Sequence, residues 1–172
     1  LMHTPALQWR LMTVADLPQV CALADAIHQD YPEGAEIFAE RLALYPHGCF
    51  MLAGAEGGFG YAISHPWTRG RPVPLNQPLG ALPEAADVYY LHDLALAPQA
   101  RGQGAGGMIL NHLHEWARSQ GLCAMVLVAV GNAGPFWEGQ GFEPRMDEAM
   151  AQKLAQYGGP AIYMEKAISP AI

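Results

Sequence analysis

Residues 101–107 read Arg-Gly-Gln-Gly-Ala-Gly-Gly, just after a strand-like run and where a helix should begin. Glycine inside a helix costs about 1 kcal/mol relative to alanine, so a cluster there needs a reason. One reason is chemical. Successive backbone N–H groups in a glycine-rich turn point outward at the positive end of the helix dipole, an arrangement suited to a diphosphate. The other is structural: a tight turn with close helix–sheet packing. Gly102, Gly104 and Gly107 match the letters G-x-G-x-x-G of a dinucleotide-binding turn, but the context opposes that motif. Ala97-Pro98-Gln99-Ala100 separates strand from glycines, and no acidic residue ends the following strand, VLVAVGN. Too little chain remains for a doubly wound sheet.

Other spacings point away from metal and thiol chemistry. His112 and His114 are two apart on a helix and so lie on different faces, and neither HExxH nor a Cys/His cluster occurs; no metal is expected. Cys21, Cys49 and Cys123 sit in apolar company without CxxC spacing. An odd set of thiols of this kind favours a reducing compartment over a disulfide framework, hence a cytoplasmic location.

The elements that must position the turn follow from pattern. WRLM reads as a first strand ended by Thr13. Thr13 and Asp16 resemble a helix cap, with Pro18 in the first turn and Leu17, Val20, Cys21, Leu23, Ala24 and Ile27 at helical spacing. EIFAERLAL is a second helix, stopped at Tyr45-Pro46. CFMLAG and FGYAISH form a hairpin about Glu56-Gly57-Gly58. Pro66–Pro83 is a Pro- and Gly-rich loop, either a binding loop or a passive excursion. VYYLHDLAL is the best strand. The helix after the glycines runs to about Ser119 with Ala105, Met108, Ile109, Leu113, Trp116 and Ala117 as its apolar stripe. CAMVLVAV, apolar throughout, suits a strand of a parallel pair covered on both faces. PFWEGQ is a short helix and AIYMEKA a closing strand. Trp9, Trp67 and Trp116 read as packing residues. The order is mixed α/β.

Composition sets the outer limits. At 172 residues with 51% apolar residues, the chain suits a single globular domain, expected over residues 3–168. A net charge of −7 argues against nucleic acid as main partner; it mildly favours a cationic small substrate, but solubility alone is the stronger reading. No apolar run reaches the ~20 residues of a membrane helix, and LMHTPALQWR lacks the basic-then-apolar order of a secretory signal.

Arg101-Gly102-Gln103-Gly104-Ala105-Gly106 resembles the R/Q-x-x-G-x-G/A signature of the GCN5-related N-acetyltransferases (GNAT). The "LAL"-then-Pro lead-in, PFWEGQGF and the closing YMEK resemble further segments of that family, across roughly residues 10 to 167 in its element order. The resemblance implies an α/β acyl-CoA N-acyltransferase fold whose mixed central sheet is splayed between the fourth and fifth strands. It implies acetyl-CoA as cosubstrate, its pyrophosphate on the N–H groups of Gly102, Gln103, Gly104, Ala105, Gly106 and Gly107, and its pantetheine along Leu94, Ala95 and Leu96 like an added strand. Arg101 either adds charge or is a solvated side chain. Asn132 and Trp137 fall at further cofactor positions.

The implied reaction is direct attack of a primary amine, from a small molecule or a protein amino group, on the thioester in a ternary complex. It needs a neutral amine, a polarised carbonyl and a proton for the thiolate; a backbone N–H near Leu94 is the expected polarising group. Near neutral pH, histidine is the residue type whose unperturbed pKa best suits proton removal, which makes His92 the candidate, and His92-Asp93-Leu94-Ala95-Leu96 resembles the H-x-L-A-V of serotonin N-acetyltransferases. It is either that base or a structural histidine on a backbone carbonyl. Strand alternation puts Tyr90, His92 and Leu94 on one face and Tyr89, Leu91 and Asp93 on the other, until a bulge intervenes. Asp93 can orient His92 if a bulge unites them, or bind a substrate cation; Tyr90 is a wall or hydrogen-bonding group. Tyr31, Glu33, Glu36 and Tyr61 are candidates for the acceptor pocket. Cys49 and Cys123 are expected in the core, not as nucleophiles. Trp137 departs from the family, standing where a tyrosine usually protonates sulfur, because an indole N–H is no proton source. That departure leaves a non-catalytic CoA-binding or regulatory module as the alternative. A homodimer is compatible with either reading.

Overall fold

The computed structural model describes residues 6–170; the first expected domain residues and part of the stretch read for a secretory signal lie outside them. Strand β1 (Gln8–Leu11) leads through a 3-10 turn (Val14–Asp16) into helix α1 (Leu17–Ile27), followed by α2 (Ala35–Leu44), β2 (Cys49–Gly54), β3 (Gly57–Trp67) and β4 (Val88–Leu96). Helix α3 (Ala105–Ser119) crosses to β5 (Ala124–Val130), and α4 (Gly134–Gly139), β6 (Glu143–Pro144), α5 (Glu148–Leu154) and β7 (Ala161–Ala167) complete the chain. The seven strands form one sheet in the order β1-β2-β3-β4-β5-β7-β6, antiparallel except for β4 beside β5.

Apolar side chains cover both faces. On one face, α3 sets Ile109, Leu110, Leu113 and Ala117 against Ala62, Leu91, Leu127 and Met164 of the sheet. On the other, Val20, Ala24, Phe38 and Leu42 of α1 and α2 meet Met51, Tyr61, Ile63 and Ala95, and Met150, Leu154 and Tyr157 cover Trp67, Tyr90 and Val126. β5 is thus covered twice, which is why its sequence is apolar without alternation. No helix among the described residues is long and apolar enough to cross a membrane.

Several expectations need correcting. Met108 is 68% exposed, and Leu110 takes its place in the α3 stripe. Cys123 is exposed just before β5, while Cys49 is buried and burial pushes its thiol pKa up to about 12. β3 continues through Pro66 to Trp67, so the irregular segment starts two residues later than read. Proline survives there because Trp67 O accepts from Asp87 N–H on the β4 side, so Pro66 by alternation faces the other side, where pairing with β2 has ended at Ile63. β6 and α5 were not anticipated.

Two irregularities in β4 position the candidate site. Ile63 and Ser64 are consecutive on β3, but they face Asp93 and Leu91, so His92 is the extra residue of a bulge. Beyond it, β4 and β5 part: their parallel pairing holds only at Tyr89–Met125 and Tyr90–Val126. The sheet is splayed from Leu91 onward.

Candidate active site

The splay opens a cleft of about 1110 Å³. One wall is β4 from Leu91 to Leu96; the other comprises Leu127, Val128 and Val130 of β5 with Asn132, Ala133, Phe136 and Trp137. Gly102, Gly104, Ala105, Gly106 and Gly107 line one end. Ala97 N–H donates to Phe59 O, and Ala95 is in register with Tyr61. By alternation, the N–H and C=O of Leu94 and Leu96 therefore point into the gap. Leu96 O already accepts from Arg101 Nε at 3.1 Å. Ala95 lines the cleft, but its side chain is buried against α1 and α2.

The glycine turn answers the question raised by its sequence. Gly102 and Gly104 have φ of +77° and +80°, a conformation that favours glycine. A Cβ at Gly102, Gly104 or Gly107 would meet nothing within 4 Å, and one at Gly106 only Leu96 Cδ1 at 3.7 Å. Close helix–sheet packing therefore does not explain the cluster, which borders open space. The first amides of α3 have no intrahelical acceptor; they sit where an anionic group can approach the backbone. Gln103 is not on the cleft wall, since its side chain turns back to donate to Gln99 O at 2.9 Å. Arg101 is exposed at the rim.

At its other end the cleft meets a pocket of about 60 Å³ lined by Tyr31, Glu33, Leu75, Tyr90 and Tyr157. His28, His92, Asp93, Val128 and Val130 line both spaces. The bulge places His92 and Asp93 on the same side of the sheet and returns Leu94 to the α3 side, where it packs in the core under α3. Proximity does not make them partners. His92 Nε2 lies 2.6 Å from Glu33 Oε1, while Asp93 accepts from the Tyr61 hydroxyl and pairs with His28 Nε2 at 2.8 Å. The expectation that Asp93 orients His92 is replaced by two separate histidine–carboxylate pairs.

Each pair has a built surround. Tyr90 stacks between His65 and His92 at ring separations of 5.5 and 6.4 Å. It is a wall, its hydroxyl taken by Val73 N–H at 3.2 Å. Burial pushes the pKa of His65 down to about 3, so the ring beneath Tyr90 stays neutral. Burial opposes ionisation of Glu33, but His92, the Asn76 amide and buried Arg41 outweigh it and hold its pKa below the ordinary range. Burial likewise opposes charge on His28, and Asp93 outweighs it, so the His28 pKa is raised.

The loop read as 66–83 contributes Leu75 to the pocket, and Asn76 donates its backbone N–H to Glu33 Oε2 at 3.0 Å. Glu36 is exposed and lines neither space. His28 was missed by the sequence reading. Its one local signal is its position immediately after α1, and its partner lies on a distant strand.

A model of the Acetyltransferase (GNAT) family matches residues 13–142. No curated protein matches the chain. Among solved structures, the chain resembles the GphF GNAT-like decarboxylase in complex with isobutyryl-CoA, with 16% identity and a TM-score of 0.77 over 94% of this chain and 100% of that one. It also resembles the loading GNATL domain of CurA from Lyngbya majuscula, at 15% identity and TM-score 0.78 over 94% and 98% of the two chains. For the ribosomal-protein-S18-alanine N-acetyltransferase from Escherichia coli the values are 18%, 0.65, and 96% of each chain. At these identities the likeness is one of fold. Together with the match over most of its length, the splayed sheet and the glycine turn, it makes the chain a member of the GNAT family.

Proposed function

We propose that the protein is an acetyl-CoA-dependent N-acetyltransferase that acts on a primary amine by direct attack. The observation that carries this reading is the continuity of the cleft. It runs from bare glycine amides, past the unpaired edge of β4, to a pocket walled by carboxylates and histidines.

The residues present fit coenzyme A. The amides from Gly102 to Gly107 would hold the pyrophosphate, and Leu94 and Leu96 would pair with the pantetheine amides. Asn132 and Trp137 form the facing wall. When bound, acetyl-CoA supplies an activated acyl group. The protein contributes position and proton transfer: Leu94 N–H is aimed where a carbonyl oxygen can accept it. His92, on the acceptor side, takes the proton of the attacking amine, and Glu33 steadies the resulting imidazolium.

A carboxylate-lined pocket also favours an amine, as small molecule or protein amino group, over an acid. Trp137 favours the second reading, a CoA-binding module without turnover. One experiment separates them: a panel of amines is mixed with acetyl-CoA and protein, and free thiol is followed. Release of thiol with at least one amine supports the enzyme, while binding of CoA without turnover across the panel supports the module. Gly104→Glu tests the shared premise. Its carboxylate would face the pyrophosphate, and CoA binding by calorimetry is expected to be lost; unchanged affinity removes the site from this turn.

A further inference from the structure

The reading above uses His92 and leaves the second pair, His28 with Asp93, without a role. It also leaves the departing thiolate without a proton, because Trp137 cannot give one. Among the described residues, four ionisable side chains line the cleft: His28, His92, Asp93 and Arg101. A guanidinium does not release its proton in a protein, and the Asp93 carboxylate is taken up by Tyr61 and His28. The histidines remain, and their neighbours sort them. Glu33, the partner of His92, lines only the acceptor pocket, whereas Ile27, which precedes His28, lines only the cleft.

We propose that His28 is the proton donor to the departing thiolate sulfur, with Asp93 and Tyr61 as its positioning residues. The assignment rests on the acetyltransferase reading. The amine nitrogen forms a bond to the thioester carbonyl carbon, and the C–S bond breaks with its electron pair on sulfur. His92 receives the proton shed by nitrogen, and sulfur receives the one carried by His28. The site resets when His92 loses its proton to solvent and His28 regains one. The His28 side chain is 27% exposed, against 6% for His92, but its Nε2 is buried against Asp93, so Nδ1 is the nitrogen that gives the proton to sulfur and regains one from solvent.

The groups facing His28 are consistent with a cationic ring. Asp93 and His92 face it from β4, Glu33 from the segment before α2, and Tyr61 of β3 stands behind Asp93. The two carboxylates raise its pKa against the opposing effect of burial. Two histidines set in different surroundings thus divide the acid and base roles.

The test uses the full chain with acetyl-CoA and an accepted amine, following thiol release against pH. In the parent, the rate should fall on the alkaline side as His28 loses its proton. In His28→Gln, kcat should fall by about 10²-fold, the usual scale for general acid–base catalysis, and the alkaline limb should vanish while CoA affinity by calorimetry is kept. A second measurement needs no turnover. The imidazole of His28 is titrated by NMR with CoA bound and with desulfo-CoA bound, and the midpoints should differ because only one ligand presents sulfur. In the free protein, Asp93→Asn should lower the midpoint. An alkaline limb that survives in His28→Gln, or identical titrations with the two ligands, overturns the assignment and leaves the acetyltransferase reading standing. A parent that binds CoA yet releases thiol with no amine overturns that reading, and the assignment falls with it.

Discussion

His92 sits at the bulge of β4 against β3, stacked on Tyr90 and hydrogen-bonded to a buried carboxylate. That setting fixes the ring without using a backbone carbonyl, so the purely structural role loses its usual hydrogen bond. If His92 is the base, His92→Ala should lower turnover by about 10²-fold or more with CoA affinity unchanged; a rate and pH profile equal to the parent's would return it to a packing role. The glycines allow a finer separation. Gly104 has a positive φ, so Gly104→Ala should cost about 1–2 kcal/mol of stability from backbone strain as well as weakening CoA. Gly107 is helical, without positive φ, and borders open space. Gly107→Ala should therefore raise the stability of the free protein, by up to about 1 kcal/mol, while still weakening CoA. Denaturant unfolding and calorimetry on the two variants check this; equal stability effects would mean that the turn's conformation is not what demands glycine at 104.

Between residues and whole molecule, α1 is the element on which the junction of cleft and pocket depends, because His28, which lines both, follows its last turn. Its start is tied to β1: Asp16 accepts from Arg10 at 2.7 and 2.8 Å and from Thr13 N–H at 2.8 Å. The Arg10 hydrogen bonds, opposed by burial, lower the Asp16 pKa to about 2. A depressed carboxylate pKa contributes stability above the unfolded value of about 3.9 and loses it as pH falls through the folded one. The melting-temperature gap between parent and Asp16→Asn should thus be full at neutral pH and close as pH is lowered from about 4 to about 2. A gap that does not change with pH would assign Asp16 a role other than this ion pair. The cap itself was legible, as were β4 and β7, because Thr13, Asp16 and the alternating or continuous apolar runs are local signals. β6 was not, since Glu143–Pro144 is two residues long and exists only by pairing with β7. α5 is short, though Asp147, which accepts from Met150 N–H, is a cap that spacing could have revealed. The glycine turn could be read because it carries its own geometry. The pairs His92–Glu33 and His28–Asp93 could not, because each joins residues far apart in sequence through a bulge that no local pattern locates.

At the scale of the molecule, the sheet is two halves joined at one end. β1 to β4 with α1 and α2 form one half, β5 to β7 with α4 and α5 the other, and β4 pairs with β5 at only two positions. The halves otherwise meet through side-chain packing, under α3 on one face and around Tyr90 and Tyr163 on the other, and through polar contacts at the closed end, among them Cys123 N–H to Asp87 O and Arg69 with Glu165. A ligand lying along Leu94 and Leu96, with its phosphates on α3, would bridge the two walls and substitute for the missing ladder. Binding to the folded state alone stabilises by RT ln(1 + [L]/Kd), about 2.7 kcal/mol at a hundredfold excess over Kd. For a chain of this size that corresponds to roughly 5–10 °C in melting temperature, at about 2–4 °C per kcal/mol. Protection should also be local. Amide exchange should slow at Leu94, Leu96 and Gly102 to Gly107 and change little in β1, β2 and β7, because those strands are already paired. Pantetheine without phosphates should protect the β4 amides and leave the glycine turn exchanging freely. Uniform protection across the sheet, or protection centred away from the splay, would mean that the cofactor enters the molecule by some route other than the parting of β4 and β5.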